Sequence, residues 1–357
     1  MFKIIDRYIA RNVILMVICC TIGLVALSSL IKYVDQMRNI GKDSYGYLDA
    51  AFYVFYTMPG QLVTFFPLGV LLGVVLALGN LASSSELIVM QALGKSRLSI
   101  VFSAVKGLVP LIIAVLLVSE FVMPKSESRA ETFYSEARSN GQIAITSRGV
   151  WFKEDSSFIL INFVMTDGTL NSIIRYTFTD TPKKQLKLVE RAQTGSWQDG
   201  VWVMKNVSID EFSANGIKHS FLPQKTWRLR LTPDKVAVVG VAATDLSIRG
   251  LMGYISYMQS NGQKVERYQL ELYRKIIQPF MLVVIVLLAA STIFGPLRSA
   301  SMGARIVVGI VTGFIFYAVN EILAPFTVVY GIHPIIGALM PSLLVFCIGF
   351  YLLRKRT

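Results

Sequence analysis

The sequence predicts an α-helical polytopic membrane protein: six transmembrane helices, interrupted by a β-rich, jelly-roll-like insert. Three observations predict it. Of 357 residues, 54% are hydrophobic and 16% charged, and the mean hydropathy of +0.56 is above what a soluble globular chain carries, which excludes an ordinary water-soluble enzyme. The apolar residues are gathered in six blocks, each near the roughly 20 residues that a helix needs to cross a bilayer core. Between the third and fourth blocks lies a polar, cysteine-free stretch patterned as short strands.

The six blocks run from Val13 to Ile31, Met58 to Leu81, Ile100 to Met123, Ile276 to Leu297, Val307 to Val329 and Pro334 to Leu353. They divide the chain into residues 1–123 (spans one to three), 124–262 (the insert) and 263–357 (spans four to six). The first block is too long in its apolar core, and lacks the small-residue site, for a cleaved signal peptide.

Charge sets the expected orientation. Lys3, Arg7, Arg11, Lys95, Arg97, Arg298, Arg305, Arg354, Lys355 and Arg356 flank one side of the spans against Asp6 and Glu86. The segment from Lys32 to Asp49 holds three charges of each sign. By the positive-inside rule both termini are cytoplasmic and the insert faces outward, into a periplasm where the cell has one. The formal charge of +13 is thus mostly a topology signal, and no nucleic-acid partner is expected.

The insert opens on a helix-favouring stretch, KSESRAETFYSEARSNG, and then turns to β-branched and aromatic runs. Val150 to Lys153, Phe158 to Val164, Ser172 to Phe178 and Leu186 to Glu190 read as strands, and Asp199-Gly200 as a tight turn between Trp197 and Trp202. Some eight strands are expected, in a sandwich or open jelly roll. Trp197, Trp202 and Trp227 either fill the core of this domain or line a ligand groove. From Asp245 the pattern becomes helical, with Leu251, Ile255 and Met258 on one face and Gly262 as a stop, which predicts an interfacial helix returning the chain to the membrane. Cys19, Cys20 and Cys347 all fall inside spans, so no disulfide framework holds the insert.

Between spans two and three, SSSELIVMQALGKSR has Ser83 and Glu86 at capping-box spacing and Gly94 placed to end a short helix. Its Leu87, Ile88, Val89, Met90 and Leu93 are too apolar for open water, so it packs under its own bundle or docks into a cytoplasmic partner. Gly94-Lys95-Ser96 is no phosphate-binding loop, because Val89 stands where that motif needs glycine and no strand precedes it.

Gly69 with Gly73, and Gly309 with Gly313, have the spacing of close helix packing. A charge at mid-span costs about 2.5 to 3.5 kcal/mol. Lys32 and Arg38 follow span one, with Gln36 a turn after Lys32. Lys32 either snorkels to the headgroups or forms a cationic site for a phosphate-bearing lipid. Lys106 snorkels; Glu120 and Glu321, the latter beside Asn320, are placed to pair with basic groups. His219 and His333 are isolated, no metal-ligand spacing or catalytic triad is present, and enzymatic chemistry is not expected.

SELIVMQALG, KIIQPF, FGPLRS and the MGAR that follows, set in this six-span layout, resemble the LptF/LptG permeases of the lipopolysaccharide exporter. DRYI at the start and LIKYVDQ after span one look like the LptG branch. The resemblance covers essentially the whole length. It implies the membrane part of an ABC transporter in the Gram-negative inner membrane: paired with LptF, driven by an LptB dimer that holds the ATP and magnesium, and joined by a helix of LptC. No cofactor resides in this chain. Residues 84–93 then look like the coupling helix, with Glu86, Leu87, Met90 and Gln91 meeting the ATPase. Lys32 stands where the family has a basic residue thought to meet lipid A phosphate, and Gln36, Arg38, Lys42 and Arg129 are further candidates for the same headgroup. Where LptG chains carry two more basic residues after span three, this sequence has Glu131 and Tyr134, with Arg129 and Arg138 close by. The alternative function is a membrane-anchored sensor or scaffold whose β domain binds a ligand; a secondary transporter fits less well, because no pair of broken helices with mid-span acids is visible.

Overall fold

The computed structural model describes residues 4–41, 45–138, 150–154, 156–164, 169–179, 185–213, 216–229, 232, 243–260, 262–294 and 301–355. The chain divides into two compact units. One comprises Met1–Val34, Thr57–Ser126 and Glu266–Thr357, the other Asp35–Tyr56 and Glu127–Val265.

The first unit is helical. It draws on α1 (Ile4–Gln36), α2 (Tyr47–Ser83), α3 (Glu86–Ala92), α4 (Arg97–Leu117), the start of α5 (Met123–Arg138), α7 (Glu266–Ile293), α8 (Met302–Val329) and α9 (Pro334–Lys355). Among the described residues, six helices are long and apolar enough to cross a membrane. Each expected span is found; the first five are extended by one to three turns at one or both ends, and the sixth, Pro334–Lys355, keeps close to its expected bounds. A π-helical turn, Val118–Val122, joins α4 to α5 without a break.

The helices meet along stripes of apolar residues one turn apart, because only such spacing keeps one face turned inward. Ile9, Val13 and Val17 of α1, Val70, Val74 and Leu78 of α2, Ile100, Ala104 and Leu108 of α4, and Leu282, Ile285 and Ala289 of α7 share one core. Small residues bring the backbones together. At Gly73 a Cβ would lie 2.4 Å from the Val17 Cα, and at Gly107 one would lie 2.5 Å from the Ala10 Cβ. Gly309 and Gly313 of α8 face Leu72 and Leu68 of α2. Both glycine pairs thus find their partner helices within this chain.

In the second unit, six antiparallel strands follow one another in sheet order: β1 (Val150–Glu154), β2 (Ser157–Val164), β3 (Leu170–Phe178), β4 (Leu186–Gln198), β5 (Val201–Ser213) and β6 (Gly216–Trp227). Asp199 (φ 46°) and Gly200 (φ 83°) are both left-handed, as a two-residue type I′ hairpin demands, and they set Trp197 opposite Trp202. Trp202 and Trp227 are fully buried in the sheet's core beside Phe152, Ile159, Ile161 and Ile173, with Trp197 packed against them. Core filling, and not a groove, is therefore what the tryptophans do.

The sheet is creased along one line. Ladder pairing skips one residue in each of β2 to β6, at Asn162, Ser172, Gln193, Asn206 and Pro223. Ser172 and Asn206 both have φ 53°. Asn162 donates to the Ser172 hydroxyl at 2.9 Å and Asn206 to the Gln193 carbonyl at 2.7 Å. An open groove of about 430 Å³ follows the crease.

Helix α6 (Ile248–Ser260) ends as expected at Gly262 (φ 62°), where Gln263 N donates to Met258 O. Its Tyr254, Tyr257 and Met258 pack against the sheet's core. Tyr257 is pushed up to about 12, by burial first and then by nearby Glu154.

Candidate functional site

Two places carry the candidate residues: the end of α1 with the elements that follow it, and the corner around α3.

Lys32 is half-buried on α1, in the helical unit. Gln36, Arg38 and Arg129 belong to the second unit, and Lys42 lies outside the described residues. A 3₁₀ turn, Met37–Asn39, closes α1. The Gln36 side-chain oxygen accepts from the Asn39 amide at 3.2 Å and from the Tyr45 hydroxyl at 3.3 Å. Gln36 therefore spends its acceptor on holding the turn. Arg38 is 85% exposed with Asp35 3.8 Å away, a pair too open to contribute much. Arg129 projects from α5 into open space.

An aromatic cluster that sequence reasoning missed secures this region. Tyr45 is buried, and Tyr134 packs on both Tyr45 and Tyr53, with ring centroids 5.4 Å apart in each case. Tyr53 donates to Glu131 at 3.5 Å. Burial above all, then Tyr134 and Asp49, pushes the Tyr45 phenol up to about 12. Glu131 and Tyr134 are both committed to this packing. The signal lay in the run of aromatics from Tyr45 to Tyr56, whose spacing alone names no partner on α5.

At the α3 corner, the Ser83–Glu86 capping box does not form. Ser83 is the last residue of α2, and its hydroxyl lies within donating distance of the Gly79 and Asn80 carbonyls, at 2.9 and 3.1 Å. The helix is instead entered through Ser85 at φ 63°, and it is the Ser84 hydroxyl that donates to Glu86, at 2.9 Å. Gly94, at φ 86°, ends it as expected.

The two faces of α3 differ, and its packing under the bundle is met on one of them. Leu87 and Met90 are buried in the bundle's core. Ile88, Val89 and Leu93 are 44%, 57% and 71% exposed, while Glu86 and Gln91 lie between the two faces. Beneath α3, the Arg97 guanidinium sits 5.9 Å from the Phe294 ring. Lys95 and Ser103 both donate to Asp6, at 2.7 and 2.8 Å, pinning the start of α1 to the start of α4. Of FGPLRS, only Phe294 is among the described residues.

Two charged or polar knots inside the spans complete the picture. Ser29 of α1 donates to Gln61 of α2 at 3.1 Å, and Gln61 donates to Thr57 at 3.2 Å, all three buried. Arg274 of α7 pairs with Glu271 at 3.0 Å and with Glu321 of α8 at 3.5 Å, and donates to the Asn320 carbonyl at 3.0 Å. Glu321 thus has the basic partner expected of it.

Three membrane helices, a β unit and three more membrane helices along the chain, with a short amphipathic helix between the second and third, define a polytopic membrane protein with an inserted sheet. Residues 7–355 match the lipopolysaccharide export system permease LptF/LptG family, and the chain belongs to it. It is 39% identical over 359 residues to the lipopolysaccharide export system permease protein LptG of Escherichia coli (strain K12), covering 100% of this chain and 99% of that protein. The LptG of Haemophilus influenzae is 40% identical over 357 residues, with the same coverage.

Proposed function

We propose that this chain is the permease subunit that takes lipopolysaccharide from the outer leaflet of the inner membrane and passes it to a periplasmic bridge toward the outer membrane. The full-length match to LptG proteins of that name carries this reading. The chain pairs with LptF, receives an LptC helix, and rests on an LptB dimer that holds ATP and magnesium. Both termini and α3 face the cytoplasm, as the loop charges require, and the sheet faces the periplasm.

The exposed apolar edge of α3, with Glu86 and Gln91 beside it, supports docking to the ATPase; Leu87 and Met90 act from behind by fixing the helix in the bundle. Closure of the ATPase dimer displaces α3, narrows the cavity between the two permeases and expels the lipid. Lys32 leads the cations that meet the acidic headgroup, where a charge-assisted hydrogen bond to phosphate is stronger than a neutral one. Arg38, Arg129 and Lys42 follow. Gln36 contributes by shaping the turn.

Co-purification tests the assembly. An ATPase subunit should be recovered with the chain and lost with Glu86→Lys; ATPase activity of the purified chain alone, indifferent to that change, refutes the division of labour. A photocrosslinker at Lys32 should label lipopolysaccharide, and Lys32→Ala should impair export. No adduct together with normal export returns Lys32 to a snorkelling role.

A further inference from the structure

Arg305, on the first turn of α8, is 3% exposed in a helix whose cap at Ser301 is open to solvent. Its long side chain runs across α2. The aliphatic stem lies where a side chain on Gly79 would be, with the Arg305 Cδ 2.7 Å and Nε 3.0 Å from a Cβ built there. The guanidinium donates to the Ser83 hydroxyl at 3.1 Å. It thereby sits against the last turn of α2, where the helix dipole favours a cation.

Arg305, Gly309 and Gly313 form one stripe, four residues apart. The glycines seat α8 on Leu72 and Leu68 of α2, and Arg305 completes the contact at Gly79 and Ser83. Past Ser83 the chain makes one left-handed step at Ser85 and becomes α3, whose Leu87 and Met90 are locked into the core. A buried arginine with its stem in a glycine notch and its head on the corner residue makes α8 and the α2–α3 corner a single mechanical piece.

We infer that Arg305 is a positioning residue for transport: it fastens α8 to the α2–α3 corner, so that a displacement of α3 is passed to α8. This rests on the reading that α3 receives the push of the ATPase. Lysine keeps the charge but loses the planar fork that fits the notch.

The test places spin labels at Ala92, exposed at the end of α3, and at exposed Val311 of α8 in the assembled transporter in nanodiscs, and reads their separation with and without a non-hydrolysable ATP analogue. With Arg305 present, the separation should stay narrow and constant between the two states. With Arg305→Ala, and independently with Gly79→Ala, which dislodges the stem while keeping the charge, it should broaden or change with nucleotide, and lipid released per ATP hydrolysed should fall at least tenfold. Arg305→Lys should recover part of that ratio. Unchanged separation and unchanged release per ATP in both alanine variants overturn the inference. Should Glu86→Lys leave ATPase binding intact, the docking reading fails by itself, and the label separation still decides whether Arg305 couples the two helices.

Discussion

Gly73 of α2 and Val17 of α1 stand so close that a side chain on the glycine would lie 2.4 Å from the valine's Cα. The obstacle is backbone, which cannot rotate aside. Gly73→Val should therefore separate α1 from α2 at a cost beyond the ~1–3 kcal/mol of ordinary overpacking. The measurement is the fraction of monodisperse protein surviving a heating series in detergent. Gly23→Val, where nothing lies within 4 Å, is the matched control, and equal losses for the two would contradict the packing described.

Tyr45→Phe removes the hydroxyl that donates to Gln36, and should cost about 1 kcal/mol, the ordinary worth of such a bond. The phenol also gives a pH signature. Its folded value of about 12 lies above the ordinary 10.0, so the folded chain holds this proton more tightly. The contribution is complete below pH 10 and is lost as pH rises through the folded value. Denaturation between pH 10 and 12 should be less steep for the phenylalanine variant; superimposable profiles would exclude Tyr45 as a source.

Acid should act on the sheet through Asp210. His219 first, then Arg191, hydrogen-bond its carboxylate and hold it below the ordinary 3.8. A lowered carboxylate stabilises at pH above its unfolded value, and that contribution disappears as pH falls through the folded one. Tryptophan fluorescence of the full chain, titrated downward from pH 5, should show a step that Asp210→Asn weakens. A step of the same size in the variant removes Asp210 from the account.

Arg274→Met leaves the Glu271 carboxyl, 15% exposed, without its cation inside a membrane helix. Breaking a buried pair from one side costs roughly 3–5 kcal/mol. Folded yield should fall, and Arg274→Met with Glu271→Gln should recover much of it. A double variant no better than the single one would show that the arginine works through Glu321 and the Asn320 carbonyl instead.

How far the sequence is legible depends on how local each cause is. The spans follow from unbroken apolar runs, and the Trp197–Trp202 pairing from Asp199-Gly200, because each cause lies beside its effect. β4 runs on to Gln198 because pairing with β5 carries it through Gly195, which a propensity reading takes as a break. Ser83 has the spacing of a helix start, yet α2 extends to include it, and its bonds run backward. The apolar face of α6 is legible in the sequence, while the sheet core that Tyr257 and Met258 meet is set by distant strands. Lys32 and Glu86 are picked out by motif resemblance. Arg305 and Ser83 are separated by 222 residues, and no local pattern announces their meeting.

The ladder of the sheet is interrupted once in each of β2 to β6, at the same level across them. Along the row from Asn162 to Pro223 the backbone-to-backbone pairing is replaced by side-chain amides and a hydroxyl, which tolerate a change of angle that a ladder of peptide bonds does not. The strands stay in one register across this row, so side-chain hydrogen bonds hold together there what the backbone ladder holds together on either side.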